Sequence, residues 1–283
     1  MNKKKNTNPI IRILIASAAA LIVTFLIIYL SGGRFITLAN GAKFMGKWEH
    51  GQPVSGTIRY QNGTEAKLDY YANTITFSNG DVYEGQIDGG CREGHGVMKY
   101  YATGDVYEGD YTKDEITGSG VFKYSNGDVY EGAFVNSQKH GYGEFTYSNG
   151  NKYIGYYEND VRSGEGHFTW ASGASYKGTF ANDLKEGYGE MIYENGDEYE
   201  GYFKEDKRDG EDGHYVWANG EIYNGAFRNN LMDTRAVDEN GEFIKDNNGE
   251  FVHGKKATYS FTTGREYYGY FENNLAVAKI QFE

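Results

Sequence analysis

The chain has one cysteine and two prolines in 283 residues, and these scarcities narrow what it can be. A lone Cys91 excludes an intramolecular disulfide and a thiolate zinc site, and no cysteine follows the N-terminal apolar run to carry a lipid. Positive charge is short as well. All 40 acidic residues but only 23 of the 28 basic ones lie beyond Arg34, so that part carries a formal charge of −17. Nucleic acid is thereby disfavoured as a partner, because binding a polyanion draws its affinity from Lys and Arg on phosphate. The apolar content is unusual in kind: 27 Tyr, 16 Phe and 3 Trp stand beside 40 Gly. A compact globule takes most of its core from Leu, Ile and Val, whereas this mixture suits many short strands joined by glycine turns.

One long apolar stretch is present. Ile13 to Leu30 is an uncharged run of 18 residues, long enough to cross a bilayer as a single transmembrane helix. Lys3, Lys4, Lys5 and Arg12 precede it, while only Arg34 and Lys43 follow closely. This bias predicts a signal anchor in a cell membrane, with residues 1–12 cytoplasmic, 13–30 spanning, 31–40 a linker, and the remainder extracytoplasmic. A cleaved signal peptide would need a shorter apolar core with a small-residue site after it, and here the alanines lie inside the run.

The hexapeptide GDVYEG occurs at 80–85, 104–109 and 127–132. Aligned on its tyrosine, it extends to Tyr83, Tyr107, Tyr130, Tyr153, Tyr176, Tyr199 and Tyr223, at spacings of 24, 23, 23, 23, 23 and 24. A fixed period of this size denotes an array. Alternate residues read aromatic, glycine, aromatic, as in Tyr153, Gly155, Tyr157, so these triplets share one face of a strand. A second triplet such as Gly166, Phe168, Trp170 follows, and a Ser-Asn-Gly turn ends several of these units. Glycine between rings leaves room for neighbours to lie flat on the sheet. The predicted fold is all-β: an elongated single-layer antiparallel meander of β-hairpins over 41–283, with an insertion at about 231–254. That insertion reads as an extra hairpin or flexible loop with Asn-Gly turns at Asn240 and Asn248. Worn units, such as Phe44, Gly46, Trp48 and Tyr267, Gly269, Phe271, stand at the ends.

The consensus Tyr-x-Gly-x-aromatic, then Gly-x-Gly-x-aromatic-x-Tyr and Asn-Gly-Asp, resembles the MORN repeat (membrane occupation and recognition nexus), strictly over 80–228 and loosely over 41–283. The resemblance implies hairpin repeats serving as a scaffold, a membrane-proximal organiser or an interaction module. Phospholipid binding, proposed for the family, is not favoured by loops in which Asp and Glu outnumber basic residues.

No catalytic constellation accompanies the array. The Gly-x-Gly pairs recur in repeat phase and open no helix, which argues for hairpins over a nucleotide loop. His50, His95, His140, His167, His214 and His253 fall in different units, and the insertion misses the spacing of a calcium loop. Carboxylate pairs such as Asp81 and Glu84 form an exposed ladder instead of a pocket. No catalytic, cofactor-binding or metal residue is therefore expected. Candidate partner contacts are the ring-face residues Tyr83, Tyr107, Tyr130, Tyr153, Tyr176, Tyr199, Tyr223, Trp170 and Trp217, with Glu84, Glu108 and Glu131 on the solvated face. Stacking of the rings on one another as the core is the favoured reading of this face, and only the alternative, a groove for a ligand, takes rings such as Tyr107 and Tyr130 as exposed. The expected function is non-enzymatic: a membrane-anchored scaffold whose ribbon binds a protein partner or itself. An envelope glycan- or lipid-binding module along the aromatic face is the alternative.

Overall fold

In the computed structural model, which describes residues 33–277, one joint recurs: a tyrosine ring laid across two glycines. Gly155 and Gly166 face each other on adjacent strands, and the Tyr153 ring covers both. A Cβ on Gly166 would come within 2.4 Å of the Tyr153 hydroxyl and 2.6 Å of its ring. The hydroxyl donates to the Tyr156 carbonyl at 3.0 Å. Tyr83, Tyr107, Tyr130, Tyr176, Tyr199 and Tyr223 make the same bond to the carbonyl three residues on. Each ring is sealed, at 0–2% exposure, which is worth about 2–3 kcal/mol per aromatic side chain relative to exposure. Edge-on neighbours add to this. Tyr153 packs nearly perpendicular to Tyr157 and to Phe180, both at 5.2 Å between centroids.

The chain divides into two units after Ser125. The first holds β1 (Gly33–Thr37), β2 (Lys43–Glu49), β3 (Gln52–Arg59), β4 (Glu65–Asp69), β5 (Thr74–Phe77), β6 (Val82–Asp88), β7 (Cys91–Lys99), β8 (Val106–Thr112) and β9 (Glu115–Lys123). Each of these pairs antiparallel with the next. The second begins with β10 (Val129–Val135), β11 (Gln138–Thr146), β12 (Lys152–Glu158), β13 (Val161–Thr169), β14 (Ser175–Ala181), β15 (Leu184–Ile192) and β16 (Glu198–Lys204). It continues through β17 (Lys207–Arg208), β18 (Gly210–Val216), β19 (Ile222–Arg228), β20 (Leu231–Met232), β21 (Ala257–Ser260), β22 (Glu266–Gly269), β23 (Phe271–Glu272) and β24 (Leu275–Ala276). It too is an antiparallel meander of hairpins.

Two kinds of turn alternate. Asn159-Asp160 and Asn182-Asp183 have both residues at positive φ, as a two-residue hairpin turn that follows strand twist requires. At Ser148-Asn149-Gly150 only the glycine is left-handed, at φ 89°, so the Asn-Gly segments are longer connections and the tight turns fall at Asn-Asp. The repeat aspartate ties successive connections together. Asp105 accepts from the Ser125 N–H at 2.8 Å and Asp128 from the Ser148 N–H at 2.7 Å. These backbone donors hold both carboxyls below the usual range.

Three expectations need correction or limits. Residues 33–37, expected within a linker, form β1, because Gly33 to Thr37 pair in register with Lys47 to Lys43. The insertion, read as an extra hairpin or a flexible loop, is a folded element with antiparallel bridges Val237–Phe243 and Lys245–Phe251, which favours the hairpin side of that reading. Ile244 N–H donates to the Ala236 carbonyl at 3.0 Å, Val252 N–H to Ile244 at 3.0 Å, and Ala236 N–H to Val252 at 2.7 Å, closing a ring of three backbone bonds. It is pinned by buried Asp233 on Arg235, whose guanidinium sits 3.8 Å from the Phe243 ring centroid. Its turns do fall where expected, with Gly241 and Gly249 at φ 84°. The expected transmembrane helix at 13–30 lies outside the described residues, among which no helix is long and apolar enough to cross a membrane.

Gly166→Ala is expected to cost about 1–3 kcal/mol through overpacking against Tyr153, and Tyr153→Phe about 1 kcal/mol through the lost hydroxyl bond, read as urea midpoints. Burial pushes the hydroxyls of Tyr83 and Tyr153 up to about 12. Unfolded tyrosine ionises near about 10, so this contribution is intact below that pH and is lost as pH rises toward 12. Alkaline titration should therefore show the buried tyrosines ionising together with loss of the sheet's circular dichroism; ionisation near pH 10 with the sheet intact would refute it.

Candidate functional site

Strand alternation gives the second unit a ring face and an outer face. With Tyr153, Gly155 and Tyr157 on the ring face, Lys152, Ile154, Tyr156 and Glu158 point to the other side. Strand register then builds two outer rows. One runs through Ile154, His167, Lys177, Glu190 and Glu200, which pair in turn from β12 to β16. The other holds Tyr142 opposite Tyr156, Glu165 opposite Thr179, and Tyr188 opposite Tyr202. Between the rows the floor is backbone at Gly155, Gly166, Gly178 and Gly189, and the stretch from Tyr142 and Tyr156 to Tyr188 and Glu190 forms an open groove of about 920 Å³.

The two tyrosine pairs are the largest apolar groups left in water here. Tyr142, Tyr156, Tyr188 and Tyr202 are 58%, 49%, 47% and 50% exposed. Tyr142 meets Tyr156 at 5.5 Å and 74° between ring planes, and Tyr188 meets Tyr202 at 5.3 Å and 78°. Each pair is thus a notch with near-perpendicular walls. The Tyr188 hydroxyl donates to Glu200 Oε1 at 2.5 Å, and this bond raises its ionisation to about 12. A second opening of about 440 Å³ adjoins Tyr188 and is bordered by Glu200, Glu211, His214 and Lys255.

The expected contacts fare unevenly. Tyr83, Tyr107, Tyr130, Tyr153, Tyr176, Tyr199 and Tyr223 are sealed under their own array and cannot touch a partner. Tyr107 and Tyr130, which the ligand-groove alternative took as exposed rings, are 0% exposed, because each must lie down on its glycine pair. Trp170 and Trp217 are half-buried at the margin of the ring face, where Trp170 borders a cleft of about 390 Å³ with Arg162 and Lys185. Glu84, Glu108 and Glu131 are exposed on the outer face. Glu84 binds Lys99 at 3.1 Å, Glu108 stands 3.8 Å from His95, and Glu131 faces Glu144 across the strands. His167 and His214 belong to different strands of the outer face, and among the described residues no three His, Cys, Asp or Glu groups are placed to hold a metal ion.

The sequence reading missed the exposed tyrosines, although Tyr142 and Tyr188, like Tyr156 and Tyr202, recur at the same repeat position two periods apart. It also missed a cation ladder. Lys139, Arg162, Lys185 and Arg208 recur every 23 residues, and each lies over rings of the core. The Arg162 guanidinium sits 5.5 Å from the Tyr153 ring centroid, 5.3 Å from that of Phe168 and 5.1 Å from that of Phe180, with Asp183 at 2.9 Å. Arg208 is 4.7 Å from the Tyr215 centroid.

The family model for the MORN repeat matches 83–104, 107–129, 130–152, 153–175, 176–198 and 199–222. Residues 83–222 contain six MORN repeats. The Tyr267 unit lies outside the matched stretch and repeats the hydroxyl bond, donating to the Tyr270 carbonyl at 3.3 Å, but over one glycine, Gly269, which faces Ala257. Among solved structures the chain is similar to the wild-type TCP10 domain of Danio rerio CPAP in complex with a STIL peptide, at 12% identity and a TM-score of 0.40, covering 89% of this chain and 98% of that one. It is also similar to the Drosophila melanogaster SAS-4 TCP domain in complex with a proline-rich motif of Ana2, at 19% identity and a TM-score of 0.30, covering 59% and 86%. No curated protein matches the sequence. The groove lies wholly within the matched MORN repeats.

Arg162→Ala should lower stability by about 1–2 kcal/mol, from lost contact with three rings, while Arg162→Lys should retain most of it, as Lys139 and Lys185 do naturally. Equal urea midpoints for Arg162→Ala and the parent chain would show that the ladder adds nothing.

Proposed function

We propose that this chain is a non-enzymatic scaffold that binds a protein partner on the outer face of its MORN repeats. The observation that carries the reading is the pair of half-exposed tyrosine notches above a glycine floor. Tyrosine on a rigid element supplies large contact area at little entropic cost, and such rings dominate protein interfaces. Strand backbone at the floor is already paired on both sides, so a partner is held by side chains instead of by an added strand. The apolar run at Ile13 to Leu30 fits this role by holding the repeats at a membrane, outside the cytoplasm. A glycan or lipid reading along the ring face loses its main residues, since the seven repeat tyrosines are sealed.

A photo-activatable residue at Tyr142 should give a discrete adduct in cells that carry this protein. The same residue at Tyr101, exposed in the first unit, should not. Tyr188→Ala should remove the adduct at the groove position. Equal labelling at both positions, or labelling indifferent to Tyr188→Ala, would reject the groove as the interaction surface.

A further inference from the structure

The groove has a length scale, and it selects a conformation of partner. The notches lie on β11 with β12 and on β15 with β16, two hairpins apart, or about 19 Å at about 4.8 Å per strand step. A polyproline II helix advances about 3.1 Å per residue with three residues per turn, so two full turns, about six residues, also cover about 19 Å. Residues at the two ends of that span point to the same side, and so does the residue midway between them. A chain in this conformation laid across the strands therefore presents one residue in three to each successive hairpin.

The chemistry at each station agrees with that spacing. At the two ends, ring planes at 74° and 78° form notches rather than flat platforms. A compact prolyl ring enters such a slot, as in other aromatic-lined grooves that take this helix, whereas a pyranose stacks on a ring lying parallel to the surface. At the middle station the outer row offers Glu165 opposite Thr179. Glu165 is exposed there and offers a carboxylate that a basic residue complements. No backbone edge is open here, and a polyproline II chain requires none, since it makes no internal hydrogen bonds and adds no strand.

Resting on the reading of the groove as the interaction surface, we propose that its occupant is a proline-rich segment in polyproline II conformation. The segment runs across strands β11 to β16, with prolines two helical turns apart in the tyrosine notches and a basic residue midway against Glu165.

The test is fluorescence anisotropy of the full chain in mild detergent with labelled synthetic peptides. The probe carries prolines two turns apart, arginine midway, and a proline-rich backbone between. Saturable binding is expected, weakened at least tenfold by Tyr142→Ala and by Tyr188→Ala, and severalfold by Glu165→Gln. A peptide of identical composition with the proline spacing shortened by one residue should lose most of the affinity. Equal binding of both spacings would overturn the proposal, as would indifference to the tyrosine substitutions. Binding of a β-linked oligosaccharide at the same tyrosines in place of the peptide would overturn it too. If the peptide fails while the Tyr142 adduct persists and still depends on Tyr188, the conformation of the partner is wrong and the surface stands. If both fail, the surface itself is wrong.

Discussion

The structure depends on one contact: a tyrosine ring pressed flat onto two facing glycines, with its hydroxyl on the carbonyl three residues ahead. A single sheet layer has no opposing layer to bury its apolar face, which is the difficulty that a one-layer array must solve. Here the sheet's own side chains provide the cover. The glycines remove the Cβ atoms that would lift the ring, and the neighbouring rings close over it edge-on. Polar groups and half-buried cations complete the seal, Asp183 holding Arg162 over three rings.

That contact also decides where recognition is available. Because the repeat tyrosines are consumed by packing, the most conspicuous feature of the sequence is unavailable to a partner. The recognition surface proposed above lies on the opposite parity of the same strands, where residues are free of the packing constraint. The outer positions next to the glycines are occupied by Tyr142, Tyr156, Glu165, Thr179, Tyr188 and Tyr202, a set that differs from hairpin to hairpin. The array thus separates a face that must repeat from a face that is at liberty to vary.

The insertion follows the same economy on a smaller scale. VDENGEFI and KDNNGEFV are consecutive eight-residue copies, and the chain closes three equivalent residues into a ring of backbone bonds. Asp238 and Asp246 each accept from the N–H groups two and four residues on, which fixes both turns. The short duplication within 237–252 is a local signal that a search for the 23-residue period passes over.

Much of the fold was legible because its grammar is local. The period of 23, the alternation of ring and glycine, and the turn residues all act within a few positions, so Tyr153, Gly155 and Tyr157 declare a strand, a face and a hairpin without reference to distant residues. The cation ladder carries the same local signal, since Lys139, Arg162, Lys185 and Arg208 keep the repeat phase, although the search for rings and glycines passed over it. What the sequence could not decide was which side of the sheet each ring serves in practice. Tyr130 and Tyr142 differ little as residues, yet one is sealed and the other stands more than half in water. That difference arises from register, which brings Gly132 against Gly143 and Tyr142 against Tyr156. Only strands held side by side set which glycines face one another, and so which rings can lie down and which remain to meet a partner.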